Sequence, residues 1–376
     1  MALSSLRDIA ICSGSLAAAL AFGSALFVWS GLYDVGASDP HYAVTRWLLE
    51  FAKRRSIETQ SLFVNSPVAD DPDLVALGAS HYDIGCAPCH GAPGRPSSPI
   101  VQKMLPAPAD LLQAAPTWSA AQLYWIVKNG LKFTGMPAWP AQEREDEIRA
   151  VEALLRAMPT MDPAKYKRLA VGGADDPMPN GPGLAELDSD PAKKCARCHR
   201  EGETSQNRLV PRLAGQSQAY IEMSLRDYAK GLRRSGIMQP IAAALDEGGI
   251  AKAAQYYARL PRAASVSTAD AEQIARGRTI AMRGVPEAGV PACLACHSGK
   301  SAAAFPTLDG QHAPYIVGQL QLLRRGVRDQ SVYGKIMSVI APRLTDPQIA
   351  DVAAYFASVS PPLAQPSSAR PRPRRK

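Results

Sequence analysis

Cys86-Ala-Pro-Cys89-His90 is the stretch from which the rest of this chain can be interpreted, because the same pattern returns twice. The second copy is Cys-Ala-Arg-Cys-His over Cys195 to His199, and the third is Cys-Leu-Ala-Cys-His over Cys293 to His297. The chain has 7 cysteines, and the three copies use all of them except Cys12. The sequence therefore indicates one kind of site, built three times.

A Cys-x-x-Cys-His run is the attachment pattern of a covalent haem c. The two thiols form thioethers with the haem vinyl groups, and the adjacent His ligates the iron from its proximal side. The predicted thioether residues are Cys86, Cys89, Cys195, Cys198, Cys293 and Cys296, and the predicted proximal ligands are His90, His199 and His297. A structural zinc site does not require a His after each Cys pair, and a redox dithiol of the thioredoxin kind requires a βαβ context. The pattern predicts three covalently bound haem c groups.

On these motifs the chain resembles the class I c-type cytochromes over roughly residues 70 to 360. The resemblance implies an all-α fold with three small class I cytochrome c domains in series after an N-terminal transmembrane helix. The expected segments are 1–66 (anchor and amphipathic segment), 67–160 (domain 1), 161–185 (Pro/Gly-rich linker), 186–262 (domain 2), 263–360 (domain 3) and 361–376 (basic disordered tail).

Domains 2 and 3 contain an internal repeat, which predicts a tandem duplication. Leu213-Ala-Gly-Gln216 matches Leu308-Asp-Gly-Gln311, and Tyr220 matches Tyr315. Residues 186–360 are similar to the tandem dihaem cytochromes of the c-four group, which implies two similar domains around a pseudo-twofold axis with their haems close together. Domain 1 looks more like the small haem domains attached to membrane oxidases and dehydrogenases.

The sixth iron position decides whether a haem only carries electrons, because a Met ligand closes that position and raises the potential. In domain 1, Phe133-Thr-Gly-Met136-Pro137 resembles the ligand loop of the family, so Met136 is the expected ligand and Met104 is its rival. In domain 3, Met337 is the expected ligand, and His312 is an alternative as a second His ligand.

Domain 2 offers two methionines after its motif, Met223 and Met238. We expect Met238 to be the ligand because it matches Met337 in the repeat, whereas Met223 lies in a helical pattern that favours a core position. On the proximal side, Pro108, Pro211 and Pro306 occupy the place where the family has a Pro whose carbonyl accepts the proton of the proximal His. The match is loosest in domain 1.

The stretch from Ile9 to Leu32 has no charged residue and is long enough to cross a bilayer. A cleaved signal peptide is the alternative, but the stretch is long for one, so we expect an uncleaved single-pass anchor. The resemblance to the c-type cytochromes then implies that this helix lies in a bacterial inner membrane and that the haem domains lie in the periplasm. The segment from His41 to Phe63 has an amphipathic helical pattern that suits either the membrane surface or a helix of a partner.

The basic C-terminal tail contributes to the net charge of +8. The sequence lacks the basic domain with interspersed aromatic residues that is typical of nucleic-acid binders, so we expect no nucleic-acid partner. The sequence predicts an electron carrier and not an enzyme, moving single electrons between a dehydrogenase or quinol oxidase and a terminal acceptor. The expected partners are a membrane dehydrogenase, an oxidase, or a small soluble cytochrome or copper protein. The alternatives are a cytochrome subunit of a membrane complex and, less favoured, a peroxidase-like enzyme with one open haem. Domain 1 is expected near the membrane, with domains 2 and 3 swinging beyond the linker.

Overall fold

The computed structural model of the chain describes residues 6–65, 71–171, 195–199, 207–262, 268–298 and 304–360. Within those ranges the regular structure is helical, and only isolated bridges such as the one between Val285 and Val290 resemble strand pairing. The α-helices are α1 Leu6–Trp29, α2 Ala43–Ser61, α3 Pro72–Gly85, α4 Ala87–His90, α5 Leu111–Ala114, α6 Ala120–Asn129, α7 Glu145–Ala157, α8 Pro163–Val171, α9 Gln218–Ala229, α10 Met238–Ala243, α11 Glu247–Arg259, α12 Ala271–Arg283, α13 Leu294–His297, α14 Ala313–Arg324, α15 Val332–Ile340 and α16 Asp346–Ser358. This confirms the all-α prediction.

Helix α1 is the candidate membrane anchor. Its segment Asp8–Trp29 is long and apolar enough to span a bilayer, and none of that segment is buried against the protein. The 24 residues of the helix rise about 36 Å at ~1.5 Å per residue, which exceeds the ~30 Å hydrocarbon core. The helix therefore has the length that an anchor needs.

Helix α2 packs on domain 1 through its C-terminal half, and its N-terminal half is exposed to solvent. Ile57 is buried, and the guanidinium of Arg54 lies 4.8 Å from the centre of the Trp118 ring. Nearer the start of the helix, Trp47 is 64% exposed and stacks on Phe51, which is 53% exposed. The predicted amphipathic segment is thus a helix that follows the candidate anchor and packs on domain 1.

Domain 1 is built around the crossing of α3 and α7. A Cβ atom on Gly78 would lie 1.9 Å from the carbonyl oxygen of Ala150, so only glycine allows the two helices to approach this closely. Ser119 and Gln122 form a capping box at the start of α6. Asp71 caps the start of α3 by accepting from the backbone N–H of Asp73.

The predicted linker 161–185 does not begin at residue 161. Pro163 starts helix α8, which packs against α3 in domain 1. The Tyr166 ring is fully buried and its hydroxyl donates to Asp83 Oδ1 over 3.1 Å. Proline at the first helical position is favourable, so the local Pro content that indicated a linker also fits a helix start. Residues 172–185 and the predicted basic tail 361–376 lie outside the described residues.

Domains 2 and 3 repeat one helical plan. Helices α9 and α11 of domain 2 correspond to α14 and α16 of domain 3, and each pair carries the same backbone bond. The amide of Gly215 donates to the carbonyl of Tyr257 over 3.0 Å, and the amide of Gly310 donates to that of Phe356 over 2.9 Å. The structure therefore supports the predicted duplication. Thr345 and Gln348 form a capping box at the start of α16.

Two buried glutamines join domains 2 and 3 by reciprocal amide bridges. Gln216 Nε2 donates to Thr307 O over 2.6 Å while its Oε1 accepts from Thr307 N over 3.1 Å. Gln311 makes the same pair of bonds with the backbone of Arg212, each over 3.0 Å. These residues match in the repeat, so the contact has the pseudo-twofold character that the resemblance implied.

Domain 1 also packs directly on domain 2. Ion pairs join Asp73 to Arg208 over 2.8 Å and Glu143 to Arg234 over 2.5 Å. Ile237 of domain 2 lies in the same apolar core cluster as the domain 1 helices. The expectation that domains 2 and 3 swing freely beyond a linker is therefore wrong for this structure, because domain 2 shares a core with domain 1.

Candidate functional sites around the three motifs

The three motif histidines are held in the same way. Nδ1 of His199 lies 3.0 Å from the carbonyl oxygen of Pro211, and Nδ1 of His297 lies 2.8 Å from that of Pro306. Both prolines are the predicted acceptors. In domain 1 the prediction of Pro108 is wrong, because Nδ1 of His90 lies 2.9 Å from the carbonyl oxygen of the next residue, Ala109.

This hydrogen bond assigns the tautomer of each ring. A carbonyl oxygen can only accept, so Nδ1 carries the proton and Nε2 keeps its lone pair for a metal. Burial lowers the pKa of His199 and of His297, although the bond to the proline carbonyl opposes that shift. Both imidazoles are therefore held neutral, which is the form that ligates iron.

One cavity of about 900 Å³ connects the motif residues of domains 2 and 3. This volume lies within the range of roughly 300–1,000 Å³ that is usual for cofactor sites. Its walls contain the predicted site residues of both domains: Cys195, Cys198, His199, Met238, Cys293, Cys296, His297 and Met337. The structure thus brings together, in one continuous space, two sets of residues that lie about a hundred positions apart.

The two predicted methionine ligands, Met238 and Met337, line this cavity, and one alternative stays open. Met238 is the first residue of α10, and Met337 lies in α15; each is half-buried and packs on the apolar core of its own domain. Met223, on α9, also lines the cavity, so the choice between Met223 and Met238 stays a prediction. His312 accepts a hydrogen bond from Nε of Arg212 over 3.2 Å at the domain interface, which engages its ring nitrogen elsewhere.

Domain 1 brings its two candidate methionines to one place. A Cβ atom on Gly135 would lie 2.7 Å from the methyl group of Met104, which puts Met104 beside the loop that carries Met136. On the other side of the motif, the hydroxyl of Tyr82 donates to the carbonyl of Gly91 over 2.8 Å. The choice of Met136 over Met104 also stays a prediction.

Two arginines and two tyrosines meet where the halves of the cavity join. Arg233 donates to the hydroxyls of Tyr220 and Tyr315 over 3.3 and 3.2 Å, and Arg328 lies beside the same group. Burial alone would raise the pKa of Tyr220, but the two guanidinium groups outweigh it and lower that pKa to about 8. The cluster is therefore strongly electropositive.

These arginines test whether the cavity fits a haem. The Nε atoms of Arg233 and Arg328 are buried and have no hydrogen-bond partner in the structure, although both side chains line the cavity. A haem has two propionate carboxylates, and buried guanidinium donors favour bidentate carboxylate partners. Among the described residues, no group of three or more His, Cys, Asp or Glu side chains is placed to hold a metal ion. The residues fit haem.

Sequence reasoning missed the residues that connect domain 1 to the site of domain 2. Asp83 is fully buried and binds both Arg95 and Arg197, over 2.6 and 2.5 Å. Arg197 occupies the second x position of the Cys-x-x-Cys-His motif in domain 2. Glu147, which lies on the inward face of α7, bonds to Ser235 of domain 2 over 2.5 Å. The sequence carried no signal for these pairs beyond acidic residues within apolar helical patterns.

Comparison with known proteins gives matches in both halves of the chain. A family profile described as "Cytochrome C oxidase, cbb3-type, subunit III" matches residues 73–155, and one described as "Cytochrome c" matches residues 274–360.

Several curated proteins are similar over about half of the chain. Cytochrome c-552 of Acidithiobacillus ferridurans is 36% identical over 200 residues, which are 50% of this chain and 80% of that protein. Cytochrome c4 of Thiocapsa roseopersicina is 36% identical over 171 residues, 44% of this chain and 87% of that protein. The "thiosulfate dehydrogenase electron acceptor" of Stutzerimonas stutzeri (strain A1501) is 38% identical over 174 residues, 45% of this chain and 80% of that protein.

Proposed function

This chain belongs to the class I c-type cytochromes, and on that premise we propose that it is a membrane-anchored trihaem electron carrier of the bacterial periplasm. Its relatives are electron-transfer cytochromes, so electron transfer is its function and no catalytic step on a substrate is required. The proposal adds the number of haems, their ligands, the side of the membrane and the class of partner.

One observation carries the count of three haems: the shared environment of the three motif histidines. Each Nδ1 lies within 3.0 Å of a backbone carbonyl, in domain 1 as in domains 2 and 3. A motif that had lost its cofactor would have no need for an imidazole oriented in this way. A bound haem c supplies a one-electron iron centre at each of these positions.

The side chains around the sites would favour electron transfer over chemistry on bound molecules. Met136, Met238 and Met337 would close the sixth positions, and the apolar walls would limit access of water. Arg233 and Arg328 would neutralise buried propionate charge between domains 2 and 3. Since both motif sets open into one cavity, an electron would need to cross only a short distance between these two domains.

The anchor and α2 support a position of domain 1 beside the membrane. Because α2 packs on domain 1 through Ile57 and Arg54, the connection from α1 to domain 1 is a docked helix rather than a long flexible chain. Domain 1 would therefore stay close to integral membrane partners. We infer that it receives or delivers electrons there, while domains 2 and 3 exchange them with a dehydrogenase, a small cytochrome or a copper protein.

The haem count is tested by the intact mass of the purified full chain after removal of non-covalent haem. Three haem additions are expected. The double substitution Cys195→Ala and Cys198→Ala should remove one addition and leave two, and Cys12→Ala should change nothing because Cys12 lies outside the motifs. A wild-type chain with two additions or fewer would contradict the proposal.

The position at the membrane is tested with a shortened chain that begins at Asp39 and is exported by a cleavable signal peptide. This chain keeps α2 on domain 1, so its three haem sites should remain intact. It should reduce a small soluble cytochrome as the full chain does but lose electron exchange with isolated membranes. Equal exchange with membranes by both forms would refute a role for the anchor.

A second candidate function is that of a subunit in a membrane oxidase or dehydrogenase complex. The profile match to an oxidase subunit over residues 73–155 and the exposed apolar face of α2 both favour it. Purification in mild detergent should then recover a stable complex. Trp47→Gln together with Phe51→Gln should release the partner, whereas Lys53→Gln on the same helix should not.

A further inference from the structure

Domain 1 contacts domain 2 on both sides of the iron site predicted for domain 2. On the proximal side, Asp83 forms an ion pair with Arg197, which lies between Cys195 and Cys198. On the distal side, α7 of domain 1 touches the backbone just before Met238. The distal side has more hydrogen bonds between the domains than the proximal side, and Glu147 accepts them.

The carboxylate of Glu147 is the centre of this distal contact, and it is 3% exposed. One oxygen, Oε1, accepts from the hydroxyl of Ser235 over 2.5 Å. The other, Oε2, accepts from the backbone amide of Gly236 over 2.7 Å and from the indole of Trp139 over 3.2 Å. Arg144 lies 2.9 Å from Oε1, so the charge is paired within domain 1.

Ser235 connects Glu147 to the backbone of Met238. Its hydroxyl oxygen accepts from the backbone amide of Met238 over 3.0 Å while the hydroxyl proton is directed at Glu147. The indole of Trp139 lies directly on Gly236, because a Cβ atom there would be 2.2 Å from the indole nitrogen. The start of α10 is thus held from outside its own domain.

We propose that Glu147 of domain 1 is a positioning residue for Met238, so that the closed sixth position and the reduction potential of the domain 2 haem depend on domain 1. This inference rests on the proposed function, in which Met238 is an iron ligand. A sulfur ligand must stay within bonding distance of iron in both oxidation states, and a buried, multiply hydrogen-bonded loop restricts the motion that would release it. Domain 3 supplies a natural comparison, because Met337 lies inside a nine-residue helix of its own domain.

The test is a redox titration of the full-length protein, with carbon monoxide binding to the reduced form as a second readout. Met238→Ala identifies the titration wave of the domain 2 haem, because it should lower that potential and add one equivalent of carbon monoxide binding. Glu147→Ala should move the same wave in the same direction by at least tenfold in the reduction equilibrium constant, which is about 59 mV for one electron. The other two waves should not move.

Two further variants separate positioning from general damage. Ser235→Ala removes one buried oxygen at little cost in volume, and it should reproduce the shift even if Glu147→Ala folds poorly. Glu147→Gln keeps one oxygen that can accept from Gly236 and Trp139, but its amide nitrogen cannot accept the Ser235 proton, so it should shift the wave in the same direction by less than Glu147→Ala does. Glu143→Gln is the matched control: it breaks an ion pair with Arg234 at the same interface, where Glu143 is 46% exposed, and should shift the wave less than twofold.

The outcomes distinguish this inference from the proposed function. If Met238→Ala moves no wave and adds no carbon monoxide binding, Met238 is not the ligand and the ligand assignment fails. If Met238→Ala behaves as expected but Glu147→Ala and Ser235→Ala both shift the wave less than tenfold, the ligand assignment stands and the positioning role of Glu147 is refuted.

Discussion

The reciprocal glutamine bridges allow a quantitative test of how domains 2 and 3 are held together. Gln216→Ala removes a side chain that is 5% exposed and makes two hydrogen bonds to the backbone of Thr307. The substitution leaves the N–H and the C=O of Thr307 without partners at the interface. No helix of either domain is changed by it.

The expected loss follows from the number of groups left unpaired. A buried polar group that loses its partner costs roughly 1–3 kcal/mol, and here there are two such groups. Allowing for partial access of water at the edge of the interface, we expect Gln216→Ala to lower the free energy of unfolding by about 2–4 kcal/mol. Gln311→Ala should cause a similar loss, because Gln311 makes the same bonds with Arg212.

The assay is urea unfolding of the oxidised full-length protein, followed by far-ultraviolet circular dichroism and by haem absorbance. Gln218→Ala is the matched control, since Gln218 lies two residues further along the chain, is exposed at the start of α9 and donates to Glu222. It should change stability by less than about 0.5 kcal/mol. If Gln216→Ala falls within that same margin, the bridges do not hold the domains together and the reasoning is refuted.

Three other changes are predicted from single sites. Gly277→Ala should destabilise domain 3 by at least about 2 kcal/mol in urea unfolding, because its Cβ would lie 1.9 Å from the backbone of α16. Burial and the nearby Arg144 lower the pKa of His81 from 6.5 to about 3, so the folded state binds fewer protons than the unfolded chain and loses stability as pH falls below 6.5. His81→Leu removes this effect, so between pH 6.5 and about 4 the variant should lose ~3 kcal/mol less of its free energy of unfolding than the wild type loses. Met136→Ala should add one equivalent of carbon monoxide binding to the reduced protein, and Met104→Ala should add none.

Features that depend on neighbours in the chain could be predicted from the sequence. A Cys-x-x-Cys-His run needs only five consecutive residues to form its short helix, and in each copy the amide of the His donates to the carbonyl of the first Cys. The capping boxes at Ser119 and Thr345 are likewise local, because the two side chains involved lie three residues apart. The resemblance to the class I cytochromes, the all-α fold and the electron-transfer function are confirmed on this basis.

The Pro and Gly content of residues 161–185 was a weaker guide to structure, because proline occurs both in linkers and at the first position of helices. Pro163 begins helix α8, whose place in domain 1 is decided by burial of Tyr166 against α3. In the same way, Pro108 and Ala109 are equivalent acceptors by sequence, and the path of the loop alone brings the carbonyl of Ala109 to His90.

What the sequence alone determined about this protein is the kind of site, its three copies and the helical plan of each domain. Only the tertiary structure decided how the domains meet: Asp83 with Arg197, Glu147 with Ser235, and each glutamine with the facing backbone. The physical reason is that these contacts join residues far apart in the chain, and their energy comes from burying a polar group beside a partner. No local pattern records which buried carboxylate will meet which arginine or hydroxyl, so that information exists only once the domains have packed.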